Sequence, residues 1–386
     1  MSDISIAKKV LVGAITFALA QPVLAVTDEE FKTLQEQFNQ LADQVDINSQ
    51  SSGSNTTVGG YGELHYNNLS NGKGTDKKVL DLHRFVVFIN HDFNDDIRLF
   101  TEFEIEHAFV SDNNDGSGKT SPGEVEVEQM FVQFDIGENT NINAGVFLIP
   151  VGILNETHEP PTFYGVERNP VEKNIIPVTW WEGGAMLSGH YDSGISYDIA
   201  LTSGLSGGTS IRDGRQKVAS ASANNLAGTA RIKYTGVRGL ELAGTVQYQD
   251  DMTQSEDEGT PADTSDDIGS ATLIETHAIY SFADITLTGL YARWDIDGDG
   301  AATAQKDVQD GAYIEASYKF NPKWGVFVRQ NQWDNGGTAT DTSKSQTDVG
   351  FNYWPHENVV VKADYQAQND IAGDFDGFNL GIGYQF

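Results

Sequence analysis

The sequence predicts an all-β fold, a sixteen-stranded antiparallel transmembrane β-barrel, and three observations carry that prediction. From residue 56 to 386 the chain divides into segments of about 10 to 13 residues with alternating apolar side chains, as in strands that face lipid on one side only. The connections alternate between short turns and long polar loops. The chain ends on Phe378, Leu380, Ile382, Tyr384 and Phe386, interleaved with Asn379, Gly381, Gly383 and Gln385.

Composition narrows the class. Hydrophobic residues are 39%, aromatics 10%, glycines 40 and cysteines none, and no apolar run is long enough for a helical membrane bundle. A net charge of -32 makes nucleic acid an improbable partner. Much of the acid is clustered, as at Asp250-Asp251 and Glu256 to Glu258, which reads as solvated loops.

At the N-terminus, Lys8 and Lys9 precede the apolar run Val10 to Ala20, followed by Pro22 and the small-residue site ending at Ala25. This is expected to be a secretory signal peptide over residues 1–25 rather than an anchor, since about 20 residues are needed to span a bilayer. Residues 26–48 follow. Thr27 and Glu30 have capping-box spacing, and Phe31, Leu34, Phe38, Leu41 and Val45 recur by threes and fours. A periplasmic coiled-coil helix is expected, with an amphipathic helix lying on its own barrel as the alternative. Two heptads are marginal alone, so the coil is expected to associate within a trimer. Residues 49–55 form a flexible linker.

The barrel is expected over 56–386. Short turns at 94–96, 137–140, 192–194, 237–239, 283–284, 321–323 and 356–358 belong on the periplasmic side and the long loops outside. Strands then fall near 56–68, 79–93, 97–110, 124–136, 140–148, 183–191, 195–203, 226–236, 240–250, 271–282, 285–296, 311–320, 324–334, 346–355, 359–368 and 376–386. Their direction alternates without a break. Ile195, Tyr197, Ile199 and Leu201 are expected to face lipid, as are Val359, Val361, Ala363 and Tyr365. A soluble sandwich or propeller would have no need of the terminal aromatic pattern.

One stretch interrupts the hairpins. Residues 149–182 hold five of the ten prolines, Pro150, Pro160, Pro161, Pro170 and Pro177, so neither a long helix nor a central strand runs through it. A connection that long inside a regular barrel is expected to have a job, and folding inward to narrow the lumen is the reading adopted.

Three stretches, GVFLIPVG (Gly145 to Gly152), PPTFYGVERNPVEKNIIPVTWWEGG (Pro160 to Gly184) and NLGIGYQF (Asn379 to Phe386), resemble trimeric sixteen-stranded outer-membrane porins. Among these, the chain is most similar to the phosphate-selective family and its relatives with an N-terminal periplasmic coiled coil. The resemblance implies a third outer loop dipping into the channel, a homotrimer in the outer membrane of a Gram-negative bacterium, and contact with lipid and lipopolysaccharide. It also implies recognition of the last strand, ending at Phe386, by the barrel-assembly machinery; the arm would reach toward peptidoglycan.

Alternation assigns lumen-facing charge. Arg98, Glu102, Glu104 and Glu106 share one face of the third strand, and Arg231 and Lys233 one face of the eighth. Lys319, Arg329 and Lys362 have inward parity beside Glu241, Glu275, Glu315 and Asp364. From the loop, Glu156, Glu159, Glu167, Arg168, Glu172 and Lys173 are expected at the constriction, while Phe163, Tyr164, Trp180 and Trp181 pack the loop or sit at the membrane interface. Such charges set ion preference in a wet pore.

Apparent chemical sites are discounted. Asp295, Asp297 and Asp299 begin a calcium-loop pattern, but Lys306 occupies the twelfth position where a bidentate Glu belongs, leaving only a loose calcium candidate. Ser188 and His190 lack a third catalytic partner. His65, His83, His107 and His277 lie on separate strands, with no spacing that suggests a metal. The expectation is therefore a passive porin for small hydrophilic solutes, with no cofactor and no enzymatic activity. An anion-selective pore for phosphate or carboxylates, or a tether to the cell wall, are the alternatives.

Overall fold

The computed structural model describes residues 55–386 except 73, 75, 109, 111–122, 255–267, 340 and 370–373. The expected signal peptide (1–25) and helical arm (26–48), with all but the last residue of the linker (49–55), lie outside the described residues.

Sixteen strands form one closed barrel: β1 (Thr56–Ser70), β2 (Lys77–Asn94), β3 (Ile97–Glu106), β4 (Val125–Gly137), β5 (Thr140–Leu148), β6 (Trp181–His190), β7 (Ile195–Thr202), β8 (Ala227–Tyr234), β9 (Leu240–Gln249), β10 (Ala271–Phe282), β11 (Ile285–Ile296), β12 (Val308–Asn321), β13 (Trp324–Asp334), β14 (Ser343–His356), β15 (Val359–Asn369) and β16 (Asp376–Gln385). Every strand pairs antiparallel with its sequence neighbours, and β1 closes on β16 with Tyr61 opposite Gln385. The terminal residue completes the seam, because Gly60 and Phe386 exchange backbone hydrogen bonds of 2.9 and 2.8 Å. Closure leaves no unpaired edge, the condition for sheet inside a bilayer.

Side chains alternate across the wall as the pleat requires. On β7, Ile195, Ile199 and Leu201 are exposed outward while Asp198, Ala200 and Thr202 are buried inward. On β15, Val361 and Tyr365 face out and Lys362, Asp364 and Gln366 face in. Toward the short-turn end the outer surface carries ring pairs: Tyr191–Tyr197, Tyr280–Phe282, Tyr318–Phe320 and Trp324–Tyr353. This is an aromatic girdle of the kind that marks a membrane interface.

Most strand limits fall within a few residues of expectation. The exception is β3, which stops at Glu106 rather than 110. There His107 adopts a left-handed φ of 55°, and a Cβ on Gly123 would lie 1.7 Å from the Glu106 carbonyl oxygen. The proline-rich loop is 149–180, since β6 starts at Trp181, and it is not wholly irregular. A 3-10 turn covers Pro160–Thr162, and a short helix, α1, covers Pro170–Asn174; each opens on proline, whose missing N–H is an orphan there anyway. The calcium-like run instead leads into a second short helix, α2 (Asp299–Thr303).

Candidate functional site: the lumen constriction

The loop between β5 and β6 folds into the barrel and is held there from root to tip. At its root, Asn155 is fully buried and donates through Nδ2 to the carbonyls of Ile149 (2.8 Å) and Trp180 (2.9 Å), while its Oδ1 accepts from Trp180 N at 2.7 Å. One amide therefore satisfies both ends of the loop. Glu172, on α1, does the same further in: its carboxylate accepts from the backbone N–H of Ile153 (2.9 Å) and Leu154 (2.6 Å) and from the Tyr313 hydroxyl (2.8 Å). Burial raises the Glu172 carboxyl above its usual range despite these donors. Expected at the constriction, Glu172 is in fact an internal staple with no solvent exposure.

The returning limb of the loop lies on an apolar seat. Val171, Ile175, Ile176, Val178 and Trp180 pack with Leu273, Leu290, Trp294, Tyr313 and Trp333, inward residues of β10 to β13. Trp294 donates through Nε1 to the Ile175 carbonyl at 2.8 Å. Burying each large aliphatic side chain is worth roughly 1.5–3 kcal/mol, enough to fix this limb.

The outgoing limb runs along the adjoining wall, β13 to β16, where glycines make room for it. A Cβ on Gly383 would stand 2.2 Å from Pro160, one on Gly381 3.1 Å from Val166, and one on Gly325 2.1 Å from the Tyr164 hydroxyl. Polar wall residues then hold its backbone. Asn352 donates to the Phe163 carbonyl (3.0 Å) and Lys362 to that of Gly165 (2.9 Å), and Val166 N donates to Asp364 (2.6 Å). Lys362 also sits 3.5 Å from the centroid of the Phe163 ring. Arg329 reaches the Tyr164 carbonyl (3.3 Å) and pairs with Glu315 (3.1 Å) and Asp348 (3.2 Å). Arg329 and Lys362, expected to line a wet lumen, are thus buried loop anchors. Phe163, Tyr164 and Trp180 do pack the loop, and Trp181 is buried beneath Lys217.

The remaining expected residues divide by depth. Glu102 and Glu104 are buried facing inward, with Glu106 beside them and partly exposed. Arg98 lies at the short-turn end, bonded to Asp135 at 2.7 Å and to the Asp95 carbonyl. Lys233 and Lys319 are near the same end, Lys319 lying over Trp354. Arg231 bonds Asp198 and pairs with Glu156 of the loop. Glu159 supplies its carbonyl to Thr162. Glu167 accepts from Asn67 at 2.9 Å; burial would raise its carboxyl, but the adjacent His65 imidazole, with Lys173 further off, holds it well below the usual range. The Lys173 side chain is exposed, and its carbonyl accepts from Arg212.

Several constriction residues lay outside the sequence reading. Arg212 and Arg215, on the loop between β7 and β8, hold the returning limb through the carbonyls of Lys173, Val178, Pro177 and Thr179. Burial, then the neighbouring Arg215 and Arg168, bring Arg212 down to about 10, so it remains charged at neutral pH. Arg215 is lowered likewise by burial, against the pull of Glu126 and Glu128. Arg168 bonds Thr179, and its buried Nε and Nη2 have no hydrogen-bond partner among the described residues. Lys217 binds Glu124 at 3.1 Å and also Glu126. Across from these bases stands an acidic wall on β1, β3 and β4: Glu63, Glu102, Glu104, Glu106, Glu126 and Glu128, with Arg84 among them. His158 of the loop meets this wall 3.3 Å from Glu102.

Asp295 pairs with Arg293 and Asp297 accepts from Ser270, and Asp299 opens α2; the three do not come together among the described residues. Ser188 donates to Asp198, not to His190. His277 is held between Glu275 and Glu241. The histidines expected to be scattered are not all so: His65 and His83 stack with centroids 4.6 Å apart.

A family model described as Gram-negative porin matches residues 41–373. An uncharacterized protein from Aquifex aeolicus is 29% identical over 80% of this chain and 74% of its own. Among solved structures, OmpF of Salmonella typhi in complex with daunomycin is similar with a TM-score of 0.60 and 15% identity, over 86% of this chain and 98% of that one. The anion-selective porin from Comamonas acidovorans gives 0.59 at 12% identity, over 86% and 100%.

Proposed function

The chain belongs to the Gram-negative porin family, and we propose that it is an outer-membrane channel rather than an enzyme, whose pore passes small hydrophilic solutes passively through a slot of opposed charge. One wall of the slot is the acidic face of β1, β3 and β4. The other is Arg168 of the folded loop with Arg212, Arg215 and Lys217. The observation that carries this reading is that opposition: Arg215 feels both Glu126 and Glu128, and Lys217 bridges directly to the acids. A field across the slot orients dipolar solutes and lets ions of either sign keep to their own wall.

The acidic excess of the chain favours a weak preference for cations. A preference for anions is the second reading, in keeping with the anion-selective porin from Comamonas acidovorans among the similar structures. Reversal potentials in a salt gradient across a planar bilayer separate the two by sign. Replacing Arg212 and Arg215 by alanine should shift selectivity toward cations, and Glu104→Gln with Glu128→Gln toward anions. If neither pair moves the reversal potential, the slot is not where ions are selected.

The assembly proposed is a homotrimer, in keeping with the trimer form of Vibrio cholerae OmpT among the similar structures. Residues 26–48 would lie in the periplasm as its coiled coil, within reach of peptidoglycan, with lipid and lipopolysaccharide around the barrel. Phe386, exposed on the outer surface at the barrel seam, is the side chain offered to the assembly machinery.

A further inference from the structure

Where the outgoing limb of the loop meets β1 and β2, two imidazoles and a carboxylate converge. Ligand atoms of His65, His83 and Glu167 lie within 4.8 Å of one another. The local backbone brings them together. Glu63 pairs with Arg84 and Leu64 with Leu82, so His83 is the extra residue of a β-bulge and faces no residue on β1. A bulge re-aims a side chain that regular alternation would send elsewhere. Here it sets the His83 ring against that of His65 with 16° between their planes.

The ring nitrogens are already divided by role. His65 Nε2 is held 3.0 Å from Glu63, and His83 Nδ1 is held 3.2 Å from Asp81. Each imidazole is thereby oriented by a carboxylate on one nitrogen, the arrangement that fixes metal-binding histidines and raises their basicity. The other nitrogens face the third member of the cluster or are left over. His65 Nδ1 is buried and points at Glu167 Oε1, 3.3 Å away, and among the described residues no hydrogen bond engages His83 Nε2. Glu167 is itself oriented by Asn67 Nδ2.

We propose that His65, His83 and Glu167 form a binding site for a divalent late first-row transition metal ion such as Zn²⁺, with Glu63 and Asp81 as the outer carboxylates. Two imidazoles and one carboxylate suit such an ion, whereas calcium and magnesium take oxygen ligands. Donors about 2.0–2.1 Å from zinc stand roughly 3.3 Å apart in a tetrahedron, so small side-chain rotations close the set. The fourth position is left for water from the lumen. A bound ion ties the outgoing limb of the loop to β1 and β2.

The test is calorimetric titration of the full-length protein, purified in detergent, with ZnCl₂. One strong site per chain is expected, weakened at least about tenfold by His83→Ala and by the outer-shell change Asp81→Asn. It should persist in His158→Gln and in His190→Ala. X-ray absorption on the zinc-loaded wild type should read two imidazole nitrogens, an observation that does not depend on any variant folding. No binding at millimolar zinc, an all-oxygen shell, or a site lost in His158→Gln yet kept in His83→Ala would each overturn the assignment. Binding is read without transport, so failure here leaves the channel reading standing.

Discussion

The lumen has two walls built on opposite rules. From β10 to β13 the outer half of the inward face is apolar: Leu273, Leu290, Trp294, Tyr313 and Trp333. From β1 to β4 the inward face is charged: Glu63, Arg84, Glu102, Glu104 and Glu128. In a water-filled barrel, inward apolar side chains signal that protein covers them, because water would penalise their exposure. The charges of the second wall are almost wholly buried and hold one another and the loop, Arg84 pairing with Glu63 and Glu104 and His158 of the loop with Glu102. The loop chooses its side accordingly, lying with its aliphatic limb on the first wall and meeting the second through the polar side chains of His158 and Glu167.

The comparison breaks most severely where the seat is removed. Trp294→Ala deletes a buried indole and its hydrogen bond to Ile175, at roughly 3–5 kcal/mol against the seated loop. The barrel has its own ladders and should persist, while single-channel conductance rises and becomes noisy and the 149–180 segment becomes sensitive to protease. Next comes the staple. Glu172→Ala strands the N–H groups of Ile153 and Leu154 and the Tyr313 hydroxyl, at about 1–3 kcal/mol for each buried group left unpaired. Flickering between two conductance levels is the expected record.

A gentler effect comes from pH. Burial raises the Glu172 carboxyl in the folded loop, so the proton is held more tightly folded than unfolded. The contribution is then full below the ordinary carboxylate pKa and falls as pH rises toward the folded value. Seating of the loop should therefore loosen from acid toward neutral pH, and Glu172→Gln should flatten that dependence in conductance noise. On the opposite wall, Glu104→Gln should leave seating unchanged and alter only ion selectivity, the smallest change of the four.

Much of this architecture is legible in the sequence alone. Period-two alternation, the alternation of short and long connections and the terminal aromatics are local signals, so strand count and direction followed from them. Which inward residue meets water was not legible, because it depends on what lies across the lumen. Arg329, Lys362 and Glu102 share inward parity, and the loop covers all three, Glu102 through His158. Arg212 and Arg215 sit in an outer loop that looks merely solvated until it folds onto the carbonyls of 173–179. His83 was hidden by the β-bulge that re-aims it. One signal was present and unread: β11, ITLTGLYARWDI, is apolar on its inward face at Leu290, Ala292 and Trp294, which a strand bordering open water has no reason to be.

The central claim, that the loop is seated on the inner wall, is tested most directly by a cross-link. The chain has no cysteine, so Val166→Cys with Gly381→Cys introduces a single pair at a contact where a Cβ on Gly381 stands 3.1 and 3.4 Å from the two methyls of Val166. Oxidation should form the disulfide in nearly every folded molecule and leave single-channel conductance unchanged, because the bond only records where the loop already rests. Failure of the pair to close, or a sharp fall in conductance when it does, would contradict the account.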